Sequence, residues 1–172
     1  MDTYLLKYFR DVWKPRTDYK FTGLSLADNI LDHELVIDVG CGNNPYRGII
    51  KNLVGIDPAF EQADVKVAIE DYVTDVKFDV ALCLGSINFG SLDVITNQIN
   101  CVVNLLKPNA RIYWRCNPGL KDHGNSECQE IDFFPWSFDH HQKLCLRFGF
   151  DLSEFQWDSN NRIYAVWKRA AA

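Results

Sequence analysis

Residues 36–45 read VIDVGCGNNP, an apolar run that meets a carboxylate and then breaks into two glycines, two asparagines and a proline. A glycine-rich turn after a strand lets a ligand approach the main chain closely, because Gly40 and Gly42 carry no Cβ. Alone, this is a turn signal as much as a site. It gains meaning from Asp57, which closes the next strand-like run, LVGID. A carboxylate there accepts both hydroxyls of an adenosine ribose, so the two features together point to an adenosine-containing ligand. The loop then narrows the choice. A dinucleotide turn spaced G-x-G-x-x-G needs glycine where Pro45 stands, and no Walker lysine follows. Asp38 sets a negative charge beside the loop, which opposes a pyrophosphate and suits an ammonium.

S-adenosylmethionine meets these demands, with an adenine, a ribose diol, an α-ammonium and no phosphate. With these residues the chain resembles the class I S-adenosylmethionine-dependent methyltransferases, from about residue 36 to the C-terminus. VIDVGCGNNP is similar to their first motif and LVGIDP to their ribose-binding acid. FDVALCLGSINF is similar to their fourth strand, and NLLKPNARIYW to their fifth with its preceding LLKPGG turn. The resemblance implies that Gly40 and Gly42 form the platform under the methionine part, with Cys41 in the same loop and Asp38 orienting the loop and the ammonium. Asp57, followed by Pro58, would hold the ribose diol. Glu70 or Asp71 would take the adenine edge, with Ile69 or Tyr72 against its face. Leu84 and Gly85 would present main chain near the sulfonium, and Ser86 or Asn88 would face the substrate. Two departures stand out. The family's loop is spaced G-x-G-x-G, and its third glycine corresponds to Asn44 here. Only PAFEQAD separates Asp57 from the expected third strand, so the usual crossover helix shrinks to a turn.

Methyl transfer from a sulfonium is an in-line displacement that depends on alignment and desolvation and needs no metal. A general base is required only where the acceptor must lose a proton, and the sequence names no catalytic residue. It does exclude some acceptors. An enzyme acting on an adenine amino group would carry an N/D-P-P-Y/F-type turn after the fourth strand, where this chain has CLGS; Asn117-Pro118-Gly119 follows the fifth strand and reads as a turn. Cys116 lacks the companion motif of a cytosine-C5 nucleophile and reads as structural. His123, Cys128, His140, His141 and Cys145 fit no common zinc spacing, so no metal is expected. His123 stands where the family often builds its substrate pocket, as an exposed histidine or a base. Phe133, Phe134 and Trp136 fit either a lid over a flat or cationic acceptor or a seal of the last helix onto the sheet. Tyr4, Tyr8 and Trp13 fit core packing or a cap over the cofactor cleft.

The elements that must hold these residues alternate along the chain. DTYLLKYFRDVW places Leu5, Tyr8, Phe9 and Val12 on one helical face, and TGLSLADNILD repeats Leu24, Ala27, Ile30 and Leu31 in the same period. LVIDV, LVGID, VKVAI and FDVALCL read as strands, the most apolar of them suited to burial on both faces. SLDVITNQINCVVNLLKP reads as a helix capped by Ser91, with Leu92, Ile95, Ile99, Val102, Val103 and Leu106 as its stripe and Pro108 as its end. ARIYWRC is the next strand. A last helix starts at Ser137 and stops near Gly149, and the tail reads as a hairpin turning at DSNN.

The 172 residues, 47% of them hydrophobic, suffice for one core. The expected fold is an α/β three-layer Rossmann-like sandwich, its mostly parallel seven-stranded sheet closed by an antiparallel last strand. Residues 1–169 read as a single methyltransferase-like domain, with 1–33 a helical segment packed on it and 170–172 a cloning remnant. The chain has 18 Lys+Arg against 23 Asp+Glu, a net charge of −5, and no basic run, so nucleic acid is not indicated. Charges thread through the apolar residues of the N-terminus, no stretch approaches the length of a membrane span, and the six cysteines stand singly. A cytoplasmic protein with reduced thiols and no membrane span is expected. The function expected is methyl transfer from S-adenosylmethionine to a small-molecule acceptor. The alternatives are a non-catalytic S-adenosylmethionine-binding module, a methyltransferase acting on protein or RNA, which would gather Lys14, Arg16, Lys20, Arg47, Lys51 and Arg115 beside the cleft, and an NAD-dependent oxidoreductase, which Pro45 argues against.

Overall fold

The computed structural model describes residues 3–14, 16–119 and 131–171. Its strands β1 (Leu35–Val39), β2 (Asn52–Ile56), β3 (Phe78–Leu84), β4 (Leu106–Cys116), β5 (Phe150–Asp158) and β6 (Arg162–Arg169) form one sheet in the order β2-β1-β3-β4-β6-β5. The β2-β1, β1-β3 and β3-β4 pairs are parallel, and β6 runs antiparallel to both its neighbours. Alternate residues of β1 and β3 supply two separate cores: Ile37, Ala81 and Cys83 on one face, Val36, Val80 and Leu82 on the other. Burial on both faces is why these strands read as unbroken apolar runs.

Six strands, not seven, make up the sheet among the described residues. The expected strand at VKVAI contributes one bridge, Ile56 to Val65, and then turns into a short 3-10 helix, Ile69–Asp71. The reason is the length of the connection. A parallel neighbour needs a crossover of a dozen or more residues, and Pro58 to Asp64 is too short to supply one. The edge of β2 is satisfied locally instead. The Gly55 amide donates to the Asp64 carboxylate (2.8 Å), while the amides of Asp64 and Val65 donate to the Gly55 carbonyl (2.8 and 3.2 Å).

One face of the sheet is covered by α2 (Leu92–Val103) and α3 (Phe138–Arg147). Each is capped as expected, Ser91 Oγ accepting from the Val94 amide and Ser137 Oγ from the His140 amide. The stripe of α2 is shorter than the sequence suggests: Ile95, Ile99 and Val102 are buried, Leu92 is exposed, and the chain leaves the helix at Val103 so that Leu106 and Pro108 open β4. Among the described residues no α-helix packs on the opposite face. The segment expected as the second helix is a 3-10 helix, Leu24–Asn29, in keeping with its Ser, Asp and Asn content. Its Leu26 packs with Tyr46 and Ile50 in the core on this face of the sheet. The first segment starts as α1 (Thr3–Lys7) and continues as a π-helical turn, Tyr8–Val12, with none of its residues buried. The terminal hairpin turns at Asn160 and Asn161, both at positive φ (61° and 54°), as a tight primed turn requires.

Candidate functional site

The cleft opens along the carboxyl ends of β1, β2, β3 and β4, where strand order reverses between β1 and β3, the usual place for a ligand in an open α/β sheet. Asp38, Gly40, Cys41, Gly42, Asp57, Pro58, Glu70, Leu84, Gly85, Ser86 and Asn88 all line it. Asp71 and Trp136 do not, and His123 and Cys128 lie outside the described residues.

The glycine loop is fixed by main-chain bonds to the end of β2. The amides of Gly40 and Cys41 both donate to the Ile56 carbonyl (2.9 and 3.0 Å). Asp57 completes the link: Oδ2 accepts from the Gly42 amide (2.9 Å), and Oδ1 from the amides of Ala59 (2.7 Å) and Phe60 (3.3 Å). Its carboxylate therefore fastens two loops as well as facing the cleft. Gly40 is at φ 71°, and a Cβ there would fall 2.2 Å from Cβ of Ser86, so no other residue fits. Asn44 also takes a positive φ (60°), yet its side chain leaves the cleft for β2, where Nδ2 donates to the Gln62 carbonyl (3.1 Å) and the Asp64 carboxylate (3.3 Å). Gly55 makes the room, since a Cβ on it would stand 2.6 Å from Asn44 Oδ1. The departure from a third loop glycine is thus absorbed by a glycine on the neighbouring strand.

Asp38 is 3% exposed, and among the described residues no hydrogen bond or ion pair reaches its carboxylate. Burial, followed by the charges of Asp57 and Asp64, pushes its pKa up to about 7. A buried carboxylate without a partner at the mouth of an anion-rich loop favours a cation. On the adenine side expected from the sequence, Glu70 accepts from Gln98 Nε2 (2.6 Å), and the buried Gln98 Oε1 has no partner. Gln98 sits on α2 and lines the cleft, a residue the sequence reading missed because nothing in its surroundings marks it.

The expected substrate residues are more constrained than the sequence suggests. The Ser86 hydroxyl donates to the Val39 carbonyl, and Asn88 Oδ1 accepts from the Asn117 amide (2.8 Å), tying the ends of β3 and β4. Trp136 is a core residue, packed against Trp114, Phe134 and His141, with Nε1 donating to the Ile87 carbonyl (2.9 Å). Cys116 is fully buried, which raises its thiol pKa well above the ordinary range and leaves no thiolate for nucleophilic attack. His141 accepts from Trp167 Nε1 (3.0 Å), and burial pushes its pKa down to about 3. No group of three or more His, Cys, Asp or Glu side chains among the described residues is placed to hold a metal.

The far end of the cleft has a different character. Arg115 on β4 and Arg162 at the start of β6 both line it, with Tyr19 and Thr22 from the N-terminal segment. Arg115 donates from Nε to Asp158 Oδ2 (3.2 Å) and from Nη2 to the Ser159 carbonyl (3.0 Å), and lies 3.7 Å over the Tyr19 ring. Of the six basic residues considered as a patch, only Arg16 and Arg115 line the cleft; Arg47 pairs with Asp64. A row of aromatic rings spans the opening, with edge contacts from Phe60 to Trp13, Trp13 to Phe9 and Phe9 to Phe89, and a tilted contact from Phe89 to Phe133. Trp13 stands close enough to Gly42 that a Cβ there would meet its ring at 3.1 Å. Among the described residues no helix is long and apolar enough to cross a membrane.

No protein-family model and no curated protein matches the chain by sequence. Solved structures do match. The 1,6-didemethyltoxoflavin-N1-methyltransferase of Burkholderia thailandensis, solved with 1,6-didemethyltoxoflavin and S-adenosylhomocysteine, superimposes with a TM-score of 0.71 at 16% identity, over 98% of this chain and 86% of that one. The magnesium protoporphyrin IX methyltransferase of Synechocystis PCC 6803, with bound S-adenosylmethionine, gives 0.67 at 13% identity, over 99% and 98%. The N-methyltransferase NodS of Bradyrhizobium japonicum WM9, with S-adenosylhomocysteine, gives 0.60 at 14% identity, over 86% and 83%. With its parallel strands, glycine loop and reversed last strand, the chain has the fold of the class I S-adenosylmethionine-dependent methyltransferases.

Proposed function

We propose that the protein binds S-adenosylmethionine and transfers its methyl group to a small-molecule acceptor. The observation that carries this reading is the unpartnered, buried Asp38 carboxylate beside a glycine loop that Asp57 fastens from the next strand. Asp38 would pair with the α-ammonium. Asp57, whose oxygens retain accepting capacity beside their amide bonds, would take the ribose hydroxyls. Gln98 Oε1 would accept from the adenine amino group, satisfying a buried acceptor that otherwise has no partner. Asp71 does not line this cleft, which leaves Glu70 acting through Gln98 as the acid of that corner.

When bound, S-adenosylmethionine supplies a methyl carbon on a sulfonium, which a lone pair of the acceptor displaces while the C–S electron pair passes to sulfur to leave S-adenosylhomocysteine. The chain's part is placement and exclusion of water. Gly40, Leu84 and Gly85 provide close main chain, and Phe9, Trp13 and Phe60 shield the opening. The small-molecule neighbours support a small acceptor, and of the six basic residues that a nucleic-acid reading would gather only Arg16 and Arg115 line the cleft. A second reading, binding without transfer, draws on Trp13, whose ring stands over the loop that would carry the methionine part.

Calorimetric titration with S-adenosylmethionine, S-adenosylhomocysteine and NADH tests the proposal. Saturable binding of the first two is expected, weakened about 30-fold (about 2 kcal/mol) in Asp57→Ala, the scale of charge-assisted hydrogen bonds. Binding of NADH alone, or of none of the three, would refute it.

A further inference from the structure

Asn88 stands where the chain leaves β3 for the cleft, and its neighbours hold it in place. Its carbonyl accepts from the Phe134 amide (2.7 Å), the preceding Ile87 carbonyl accepts from Trp136 Nε1 (2.9 Å), and its side-chain Oδ1 accepts from the Asn117 amide (2.8 Å). A main-chain amide can only donate, so the atom of Asn88 that meets Asn117 has to be the oxygen. The NH2 end of the side chain is therefore turned the other way. Among the described residues that end has one partner, the Arg115 carbonyl at 3.5 Å, at the long limit for a hydrogen bond. An NH2 group carries two donors, so among these residues at least one N–H of Asn88 has no acceptor, although the residue is only 6% exposed.

This unused donor borders the point of reaction. Gly85 lines the cleft at φ 108°, and apart from its chain neighbours the only described atom within 4 Å of where its Cβ would stand is Asn88 Nδ2, at 3.9 Å. In the methyl-transfer reading Gly85 offers main chain near the sulfonium, so a molecule entering that open space meets the donor beside the methyl group. Ser86, the other polar side chain at this turn, already donates its hydroxyl proton to the Val39 carbonyl. Phe89 follows Asn88 and lines the same cleft, its ring held against Phe9 and Phe133 (centroids 5.5 and 5.2 Å). A buried donor next to an aromatic wall suits a flat molecule with a hydrogen-bond acceptor on its edge.

We propose that the methyl acceptor is a flat conjugated molecule with a carbonyl oxygen or an unprotonated ring nitrogen beside the atom that is methylated, and that Asn88 Nδ2 donates to that oxygen or nitrogen. This inference rests on the methyl-transfer reading and names the substrate class of that same site. The hydrogen bond goes to the neighbour of the nucleophile, whose own lone pair stays free for the methyl carbon. Asn88 is a binding residue that selects by polarity, because an analogue presenting an N–H at the same place sets two donors against each other.

The test uses the full chain saturated with S-adenosylhomocysteine at about pH 8 and titrated, by ligand-observed NMR, with quinoline, naphthalene and indole. All three are flat; the first has a ring nitrogen that accepts, the second no polar atom, and the third an N–H that donates. Quinoline is expected to bind about fivefold more tightly than either of the others, the scale of one hydrogen bond to a buried donor. Asn88→Asp keeps the oxygen that accepts from Asn117 and puts an acceptor in place of the donor. In this variant, accepted as folded by cooperative urea unfolding, indole should overtake quinoline while S-adenosylhomocysteine affinity is kept. Equal binding of quinoline and naphthalene to the wild-type protein, tighter binding of indole, or saturable binding of none of them would overturn the inference. So would a folded Asn88→Asp that keeps the wild-type order, or one that loses S-adenosylhomocysteine, since the donor would then serve the cofactor. The wild-type comparison stands whatever the variant does. Failure of the wild-type protein to bind S-adenosylhomocysteine would instead overturn the cofactor reading on which it rests.

Discussion

At the β1–β2 end of the cleft main-chain amides do the positioning, whereas at the β4–β6 end buried side-chain charges do. The first end is a short loop whose amides converge on the Ile56 carbonyl and the Asp57 carboxylate, and whose tight path is possible only because Gly40 has no Cβ. The second is assembled from Thr22, Arg115, Asp158 and Arg162, which come from three strands and the N-terminal segment. Backbone positioning makes a rigid, general seat for a ligand part that never changes. Side-chain positioning can be altered one residue at a time.

If this contrast is right, the two ends should fail differently. The largest effect is expected at the charged end. Asp158→Ala removes the acceptor of Thr22, Phe21 and Ser159 and leaves Arg115 buried without its carboxylate. Urea unfolding should show a loss of about 3–4 kcal/mol, with S-adenosylhomocysteine affinity largely kept in the protein that remains folded. Next comes Gly40→Ala, which sets a Cβ into Ser86 at a positive φ. It should cost about 2–3 kcal/mol of stability, and cofactor binding should fall with it because the platform itself is displaced. Equal effects of the two substitutions on cofactor affinity would remove the distinction between the ends.

The unequal construction also explains what could be read from the sequence. A contiguous loop with a carboxylate on the next strand is a local pattern, so the meeting of Asp38, Gly40, Gly42 and Asp57 in one cleft was legible from spacing and resemblance. So were β3, the caps Ser91 and Ser137, and the hairpin turn at Asn160-Asn161. The charged end has no such pattern, because Thr22, Arg115 and Arg162 meet only through sheet pairing. Gln98 was invisible for the same reason, one polar residue on an amphipathic helix. The overestimate of one strand came from counting VKVAI by its apolar content without weighing the short connection against the length a parallel crossover needs. Trp136 was left between lid and core because an aromatic run near a loop reads alike as either, and its contacts with Trp114 and His141 place it in the core.

The most direct probe of the β1–β2 end turns on one proton. The pKa of Asp38 is raised to about 7 from an ordinary value near 4, so between those values the folded protein holds a proton that the unfolded chain has lost. Its contribution to stability is full below about pH 4 and is lost as pH rises through about 7. In the ligand-free protein stability should therefore decline over that window, and Asp38→Asn should flatten the decline. An ammonium placed against Asp38 requires the ionised carboxylate, so binding below pH 7 must expel the proton. Calorimetry of S-adenosylhomocysteine binding at about pH 6, in two buffers of different ionisation enthalpy, reads that proton directly. The account predicts release approaching one proton at this pH, little at pH 8, and none in Asp38→Asn; binding without proton release, or unchanged by the substitution, would contradict it.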